Sequence, residues 1–193
     1  MARAKDKSNS GYLVGHFLVA MPTMADPRFE RTVIYMCAHS AEGAMGLIVN
    51  KPMKDLKVPD ILSQLGITIS GKCDLIHVHR GGPVETARGF VLHSADYDHE
   101  GTLKVNSAIC LSATTEILRA IAAGQGPRKS LMALGYAGWG QGQLDGEIKQ
   151  NAWLSVPADE DLLFSPESEM KWERVLAKIG VSPHLLSGTA GHA

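Results

Sequence analysis

"TVIYMCAHSAEGAMGLIVN", Thr32 to Asn50, is the stretch that decides the fold. Two apolar runs, Thr32–Ser40 and Ala44–Asn50, flank the three residues Ala41, Glu42 and Gly43. A three-residue connection ending in glycine between two such runs predicts a β-hairpin with a bulge, its reversal at Ala41–Gly43. Neither run shows strict apolar–polar alternation, so both faces of the hairpin are expected to be covered.

Working outward, residues 12–20 read as a preceding strand, followed by "MPTMADPRFER" (Met21–Arg31). That connection carries prolines and no periodicity, and it exceeds the ~4–6 residues of an ordinary loop, a length often tied to function. Downstream, Pro59 and Asp60 open a short helix through Leu65 that Gly66 closes. "CDLIHVH" (Cys73–His79) reads as a strand, and Gly89–Ser94 and Thr102–Asn106 read as a strand pair across an acidic turn. Ser112 can cap a helix with Ile117, Leu118 and Ile121 on one face, stopped by Gly124. Ser130–Gly138 and Ala152–Val156 read as strands, with a short helix or turn over Gln143–Asn151 between them. Ser165-Pro166-Glu167 predicts the start of a last helix carrying Trp172, Val175, Leu176 and Ile179 up to Gly180. Strands that arrive in hairpins, not in strict alternation with helices, predict the α+β class with a mixed, mostly antiparallel sheet. One domain is expected over 11–186, with disordered tails at 1–10 and 187–193.

Of the 193 residues 45% are hydrophobic and 20% charged, and the formal net charge is −1. This is a soluble globular composition, and it argues against a large nucleic-acid surface, which needs a basic stripe. The three cysteines are far apart and form no CxxC pair, so no disulfide framework or structural zinc site is suggested. Cys37 and Cys110 lie in apolar runs and read as small core residues of a protein in a reducing, cytoplasmic compartment. No apolar run approaches the ~20 residues of a membrane helix. Gly15 and His16 break the one stretch that faintly resembles a signal peptide.

Two glycine-rich stretches invite a phosphate reading: "RGGPV" (Arg80–Val84) and "GYAGWGQGQLDGEI" (Gly135–Ile148). A P-loop needs a lysine and a hydroxyl after its last glycine, and glutamines stand there instead. The dinucleotide fingerprint fails as well, because Asp145 occupies its third glycine position. No nucleotide cofactor is expected. Pro83 removes a backbone N–H from the first stretch, which therefore reads as a shape-making corner and not an anion nest. His77 and His79 alternate on one strand without a matching carboxylate, and no metal is expected. His93 lies with Ser94 and Asp96, and Cys37 with His39, yet no nucleophile elbow surrounds Ser94 and the flanks of Cys37 imply burial.

In order along the chain, "GHFLVAMPTMADPRFERTVIYMCAH", "GAMGLIVNKP", "RGGPV", "GFVLHS" and "GYAGWGQGQLDGEIKQNAWL" resemble the YqgE/AlgH family of bacterial proteins. The resemblance covers residue 11 to about 157 and implies a single α+β domain with a coiled β-sheet and flanking helices. It also implies a transcriptional-regulator label, by association with alginate control, and no catalytic set to carry over. The chain departs from the family pattern in having "HVHR" before the glycine pair, where members are less charged.

Three functional readings follow. The first is a non-enzymatic binding or regulatory module for a small molecule or protein, without direct nucleic-acid or membrane contact. Its site would form where the Met21–Arg31 loop, the "RGGPV" corner and the Gly138–Gln143 turn meet, with Gly82 and Gly140 within about 10 Å of each other. The candidate residues are Arg31, His39, Asn50, Gly81, Gly82, Pro83, His93, Trp139, Gly140 and Gln143. The second is a cryptic hydrolase or transferase using His93 or His39 as base. The third is a structural module for protein–protein interaction, which needs an exposed apolar patch.

Overall fold

A computed structural model describes residues 12–73 and 76–186. The expected tails at 1–10 and 187–193 lie outside the described residues. The hairpin is present as β2 (Val33–Ser40) and β3 (Gly43–Ile48), paired antiparallel with Ser40 opposite Gly43. Its reversal is therefore the two residues Ala41 and Glu42, and the bulge sits at Cys37, between Met36 and Ala38, instead of in the turn. Gly43 serves another purpose: a Cβ there would run into the carbonyl oxygen of Trp139 on the neighbouring strand.

The other strands are β1 (His16–Ala20), β4 (Pro52–Lys57), β5 (His77–Arg80), β6 (Val84–Ser94), β7 (Leu103–Lys104), β8 (Ile109–Ser112), β9 (Ser130–Gly140) and β10 (Trp153–Pro157). They form one sheet in the order β10-β1-β2-β3-β9-β6-β8-β7, with β5 joining β4 to β9. All pairs are antiparallel except β5 with β9. The helices are α1 (Val58–Gln64), α2 (Thr115–Ala122), α3 (Gln143–Lys149), α4 (Glu160–Leu163) and α5 (Lys171–Lys178). The α+β class and the curled, mostly antiparallel sheet agree with the sequence reading. No helix among the described residues is long and apolar enough to cross a membrane.

Burial on both faces explains the apolar runs. On β2, Val33, Tyr35 and Cys37 join Phe17, Leu47, Phe90, Leu92 and Leu111 in the concave interior. Leu163 of α4 and Trp172, Val175 and Leu176 of α5 pack over that interior. The alternate residues Ile34 and Met36 face outward, under Leu144 of α3, Phe29 and Trp153. The opposite half of the outer face lies under α1 and α2, through Val58, Leu62, Ile117 and Ile121.

Three expectations need correction. Gly89–Ser94 and the short strand at Leu103–Lys104 are not partners, because β8 lies between them. The four-residue run "ICLS" is apolar without a period, so spacing alone does not separate it from the approach to a helix. Ser112 consequently ends a strand, and α2 starts after Thr114. The last helix begins at Lys171; a 3₁₀ turn at Ser168–Met170 and the helix α4, capped by the Asp159 carboxylate on the Leu162 N–H (2.8 Å), stand before it. Ile179 falls beyond it and is 41% exposed.

The "RGGPV" corner has a definite topological task. Next to Leu134, β5 and β6 occupy opposite edges of β9, with Arg80 and Gly89 as its respective partners. The chain must pass from one edge to the other in the few residues Gly81–Pro83, over the backbone of β9. A Cβ on Gly81 would strike the Gly135 carbonyl, and one on Gly82 the Tyr136 carbonyl. Only glycine permits so close a crossing. Gly81 spends its N–H on Leu134 O (2.8 Å), and its carbonyl accepts from the Ile48 N–H (2.8 Å).

Candidate functional site

The concave interior reaches solvent in a groove of about 620 Å³ whose lining residues all lie before α4 and α5 in the chain. Its walls are Met45 of β3, Tyr136 and Gly138 of β9, Phe90 of β6 and Leu111 of β8, with Val84 and Leu103 at the rim. Gly138 leaves that part of the sheet without a side chain. Val84 and Leu103 are 37% and 49% exposed, apolar surface that no segment of the described chain covers.

Among the described residues, the one basic side chain lining the groove is Arg88. Its guanidinium lies over the Phe90 ring, 5.1 Å from the centroid, and Phe90 meets Tyr136 edge-on at 5.8 Å. Arg88 also reaches Glu85 Oε2 at 3.5 Å, between side chains that are each about half exposed. Both charges come from an irregular stretch of β6. Val84 pairs with Tyr136 and Gly89 with Leu134, so Glu85–Arg88 bulge out of the ladder. Glu85 takes φ +46°, a left-handed conformation unusual for a non-glycine residue.

The three segments expected to meet are divided. Val84, just after "RGGP", and Gly138 and Trp139 line this one groove. The corner itself, with Gly81 and Gly82, packs on Gly135–Ala137. Pro83 lies within the crossing. The Met21–Arg31 loop instead borders a separate groove of about 780 Å³ beside Trp172. There Arg31, at φ +51°, stacks on Trp172 at 4.5 Å and pairs with Glu173 at 2.9 Å. Asn50 holds that loop by donating to the Arg31 carbonyl (2.9 Å) and accepting from the Val33 N–H (2.8 Å).

Trp139, Gly140 and Gln143 are tied into an internal knot. The Glu147 carboxylate accepts from the indole N–H of Trp139 (3.0 Å), that of Trp153 (2.8 Å) and the Gln143 amide (3.0 Å). Gln143 in turn accepts from the Gly140 N–H (3.0 Å).

The candidate bases are engaged too. His39 Nδ1 accepts from the Leu13 N–H at 3.0 Å, and the ring meets Tyr12 edge-on. His93 is fully buried; Nδ1 donates to Ser94 O (2.9 Å), and Nε2 accepts from the Ser112 hydroxyl (2.9 Å), itself 3.1 Å from Thr102 Oγ1. Burial lowers the His93 pKa. His79 repeats the arrangement, with Nδ1 3.2 Å from His77 O and Nε2 2.9 Å from Ser168 Oγ. Ser168 lines a third cleft of about 790 Å³, so this pair has the outline of a nucleophile and its base.

The electrostatics oppose that use. Burial, and then the nearby Lys171 ammonium, pull the His79 pKa down to about 4. Lys171 is itself buried, donating to Val49 O (2.9 Å) and Leu163 O (2.8 Å), and burial lowers its pKa to about 8. A base must accept a proton during the reaction, and an imidazolium here would sit beside a buried cation. Cys37 is equally unsuited to act as a thiolate, since burial pushes its pKa up to about 12.

The sequence reading missed the groove residues Val84, Glu85, Arg88, Phe90 and Tyr136. Their one signal was the polar insertion "ETAR" (Glu85–Arg88) between Val84 and "GFVLHS".

A curled, mostly antiparallel sheet with helices on both faces, glycines where one connection crosses a strand, and an apolar interior open in a groove define an α+β single-domain protein of the half-barrel type. Comparison with known proteins supplies the family. Residues 17–184 match the AlgH-like family model. A UPF0301 protein of Rhodospirillum rubrum is 56% identical over 187 residues, covering 97% of each chain. Another, from a Methylobacterium species, is 56% identical over 194 residues, covering 96% of this chain and 92% of its own. The solution structure of the AlgH protein from Pseudomonas aeruginosa is 44% identical over the whole of both chains, with a TM-score of 0.77. A crystal structure of a Corynebacterium diphtheriae protein, 21% identical over 90% of each chain, shares the fold with a TM-score of 0.72. The chain belongs to the AlgH-like family.

Proposed function

We propose that the protein is a non-enzymatic, cytoplasmic binding module with a regulatory role, and that it receives its ligand in the groove at the open end of the half-barrel. The observation that supports this reading most is the continuity of the buried interior with exposed apolar surface at Val84 and Leu103. Mouths of β-barrels and clefts with a few convergent polar groups are where folds of this kind hold small ligands. The engaged histidines and high-pKa thiol favour binding over covalent chemistry. A net charge of −1 favours a ligand other than nucleic acid.

The test uses the neutral apolar fluorophore N-phenyl-1-naphthylamine on the full chain. Enhanced fluorescence is expected, with amide shifts concentrated at Val84–Phe90 and Tyr136–Trp139. Shifts confined to the cleft beside Ser168 or the groove beside Trp172 contradict the assignment, as does the absence of binding.

A further inference from the structure

We infer that the groove is specific for amphipathic monocarboxylates, which place an apolar body against Tyr136 and Leu111 and their carboxylate on Arg88. This rests on the reading of the groove as the ligand site. Four observations point to that ligand class.

First, the Arg88 guanidinium lies over the Phe90 ring, 5.1 Å to the centroid, and its one anionic contact among the described residues, with Glu85, is long at 3.5 Å. A guanidinium carries five N–H donors, most of them unused here among the described residues, and their fork matches the two oxygens of a carboxylate. Second, its present partner is a poor one. Glu85 reaches a single nitrogen, at 3.5 Å, and the pair is about half exposed on both sides. Exposed single contacts of this kind add little, whereas a bidentate pair shielded by an apolar body adds more.

Third, Glu85 sits on a left-handed backbone, φ +46°, within the stretch that bulges from the ladder, and among the described residues its one side-chain partner is Arg88, at 3.5 Å. Release of Glu85 thus gives up one weak contact. Fourth, the rest of the lining is largely apolar, from Met45 through Phe90 and Leu111 to the exposed Val84 and Leu103. One cation among such walls matches one negative charge on an apolar body. A phosphate dianion would find a single guanidinium and the Glu85 carboxylate beside it, and is disfavoured. The volume of about 620 Å³ accommodates a bicyclic aromatic ring or a medium-length alkyl chain.

Glu85 then acts as a competitor occupying the ligand's ion-pair position until a carboxylate displaces it. No bond is made or broken; the Arg88 N–H donors exchange one carboxylate for another.

The experiment compares 2-naphthoate with the neutral 2-naphthalenemethanol by calorimetry on the full chain at low ionic strength, with amide shifts to locate both. The expected result is about tenfold tighter binding of the naphthoate, the scale of one charge-assisted pair. Arg88→Gln should bring the ratio of the two affinities close to one, and Glu85→Gln should raise naphthoate affinity about threefold by removing the competitor. Equal affinities in the native protein, or a ratio that survives Arg88→Gln, overturn the inference. If the alcohol shifts Val84–Phe90 and Tyr136–Trp139 while the naphthoate gains nothing, the ligand class is wrong and the groove stands. If neither compound shifts those residues, the groove assignment itself falls.

Discussion

The two ends of the half-barrel interior are finished differently. At one end the chain from Ser168 to Glu173 is fastened through Ser168, Lys171 and Trp172. Ser168 bonds His79 at 2.9 Å, and Lys171 donates to Val49 O at 2.9 Å. The Trp172 indole donates to Ala20 O at 2.9 Å, and Glu173 pairs with Arg31. At the other end Val84 and Leu103 are exposed, and the Arg88–Glu85 pair of the groove spans 3.5 Å. Buried hydrogen bonds from Ser168, Lys171 and Trp172 fasten the first end, with clefts of about 780 and 790 Å³ beside it, while the second has exposed apolar side chains around one weak ion pair. Under the proposed function, the difference separates surface built for stability from surface available to a ligand.

That contrast can be broken first where the effect should be largest. Trp172 is buried under α5, stacks with Arg31 and donates to a buried carbonyl. Trp172→Ala should cost about 3–5 kcal/mol in denaturant-induced unfolding, the range for a deleted core aromatic. A loss below about 1 kcal/mol would show that Trp172 does not fasten the helical end.

The next effect is pH-dependent. His79 has a folded pKa of about 4 against a model-compound value of 6.5. Between those values the unfolded chain binds more protons than the folded one. Stability contributed by the neutral imidazole is therefore present above about pH 6.5 and is lost as the pH falls toward 4. The full difference amounts to about 3 kcal/mol, at 1.36 kcal/mol per pKa unit. Unfolding free energies measured at pH 7 and pH 4.5 should differ more for the native protein than for His79→Gln, and identical pH slopes would remove His79 from the account.

The smallest effect is expected at the open end. Leu103→Ser should change stability by no more than about 0.5 kcal/mol, as for surface positions generally, while weakening N-phenyl-1-naphthylamine binding. A stability loss of about 2 kcal/mol would instead mark Leu103 as part of the core.

How much of this was legible follows from the kind of signal each part carries. The hairpin, α1, α2 and the long strand β9 were readable because apolar runs and glycine stops are local. The family resemblance rested on the same local stretches. The strand β8 was hidden, because "ICLS" is too short to show a period. The glycine pair at Gly81 and Gly82 was read correctly as a matter of shape, but what it crosses is set by strand order, which spacing does not report. Arg31, Asn50, Trp139 and Gln143 looked like free handles because polar and aromatic side chains in glycine-rich or proline-rich loops often are. The partners of Arg31, Asn50 and Trp139, namely Glu173, the Val33 amide and Glu147, lie on other elements and carried no mark in the sequence, whereas Gln143 pairs with Glu147 one turn along its own helix. Arg88 was overlooked for the opposite reason: it sits inside a segment that joins two recognisable stretches, and only the bulge in β6 turns it toward the groove.

The most direct test of the central claim is an amide-resolved titration of the full chain with N-phenyl-1-naphthylamine. Saturable shifts are predicted at Val84–Phe90 and Tyr136–Trp139, with residues 168–173 unmoved. Shifts at 168–173 with none at Val84–Phe90 would contradict the account.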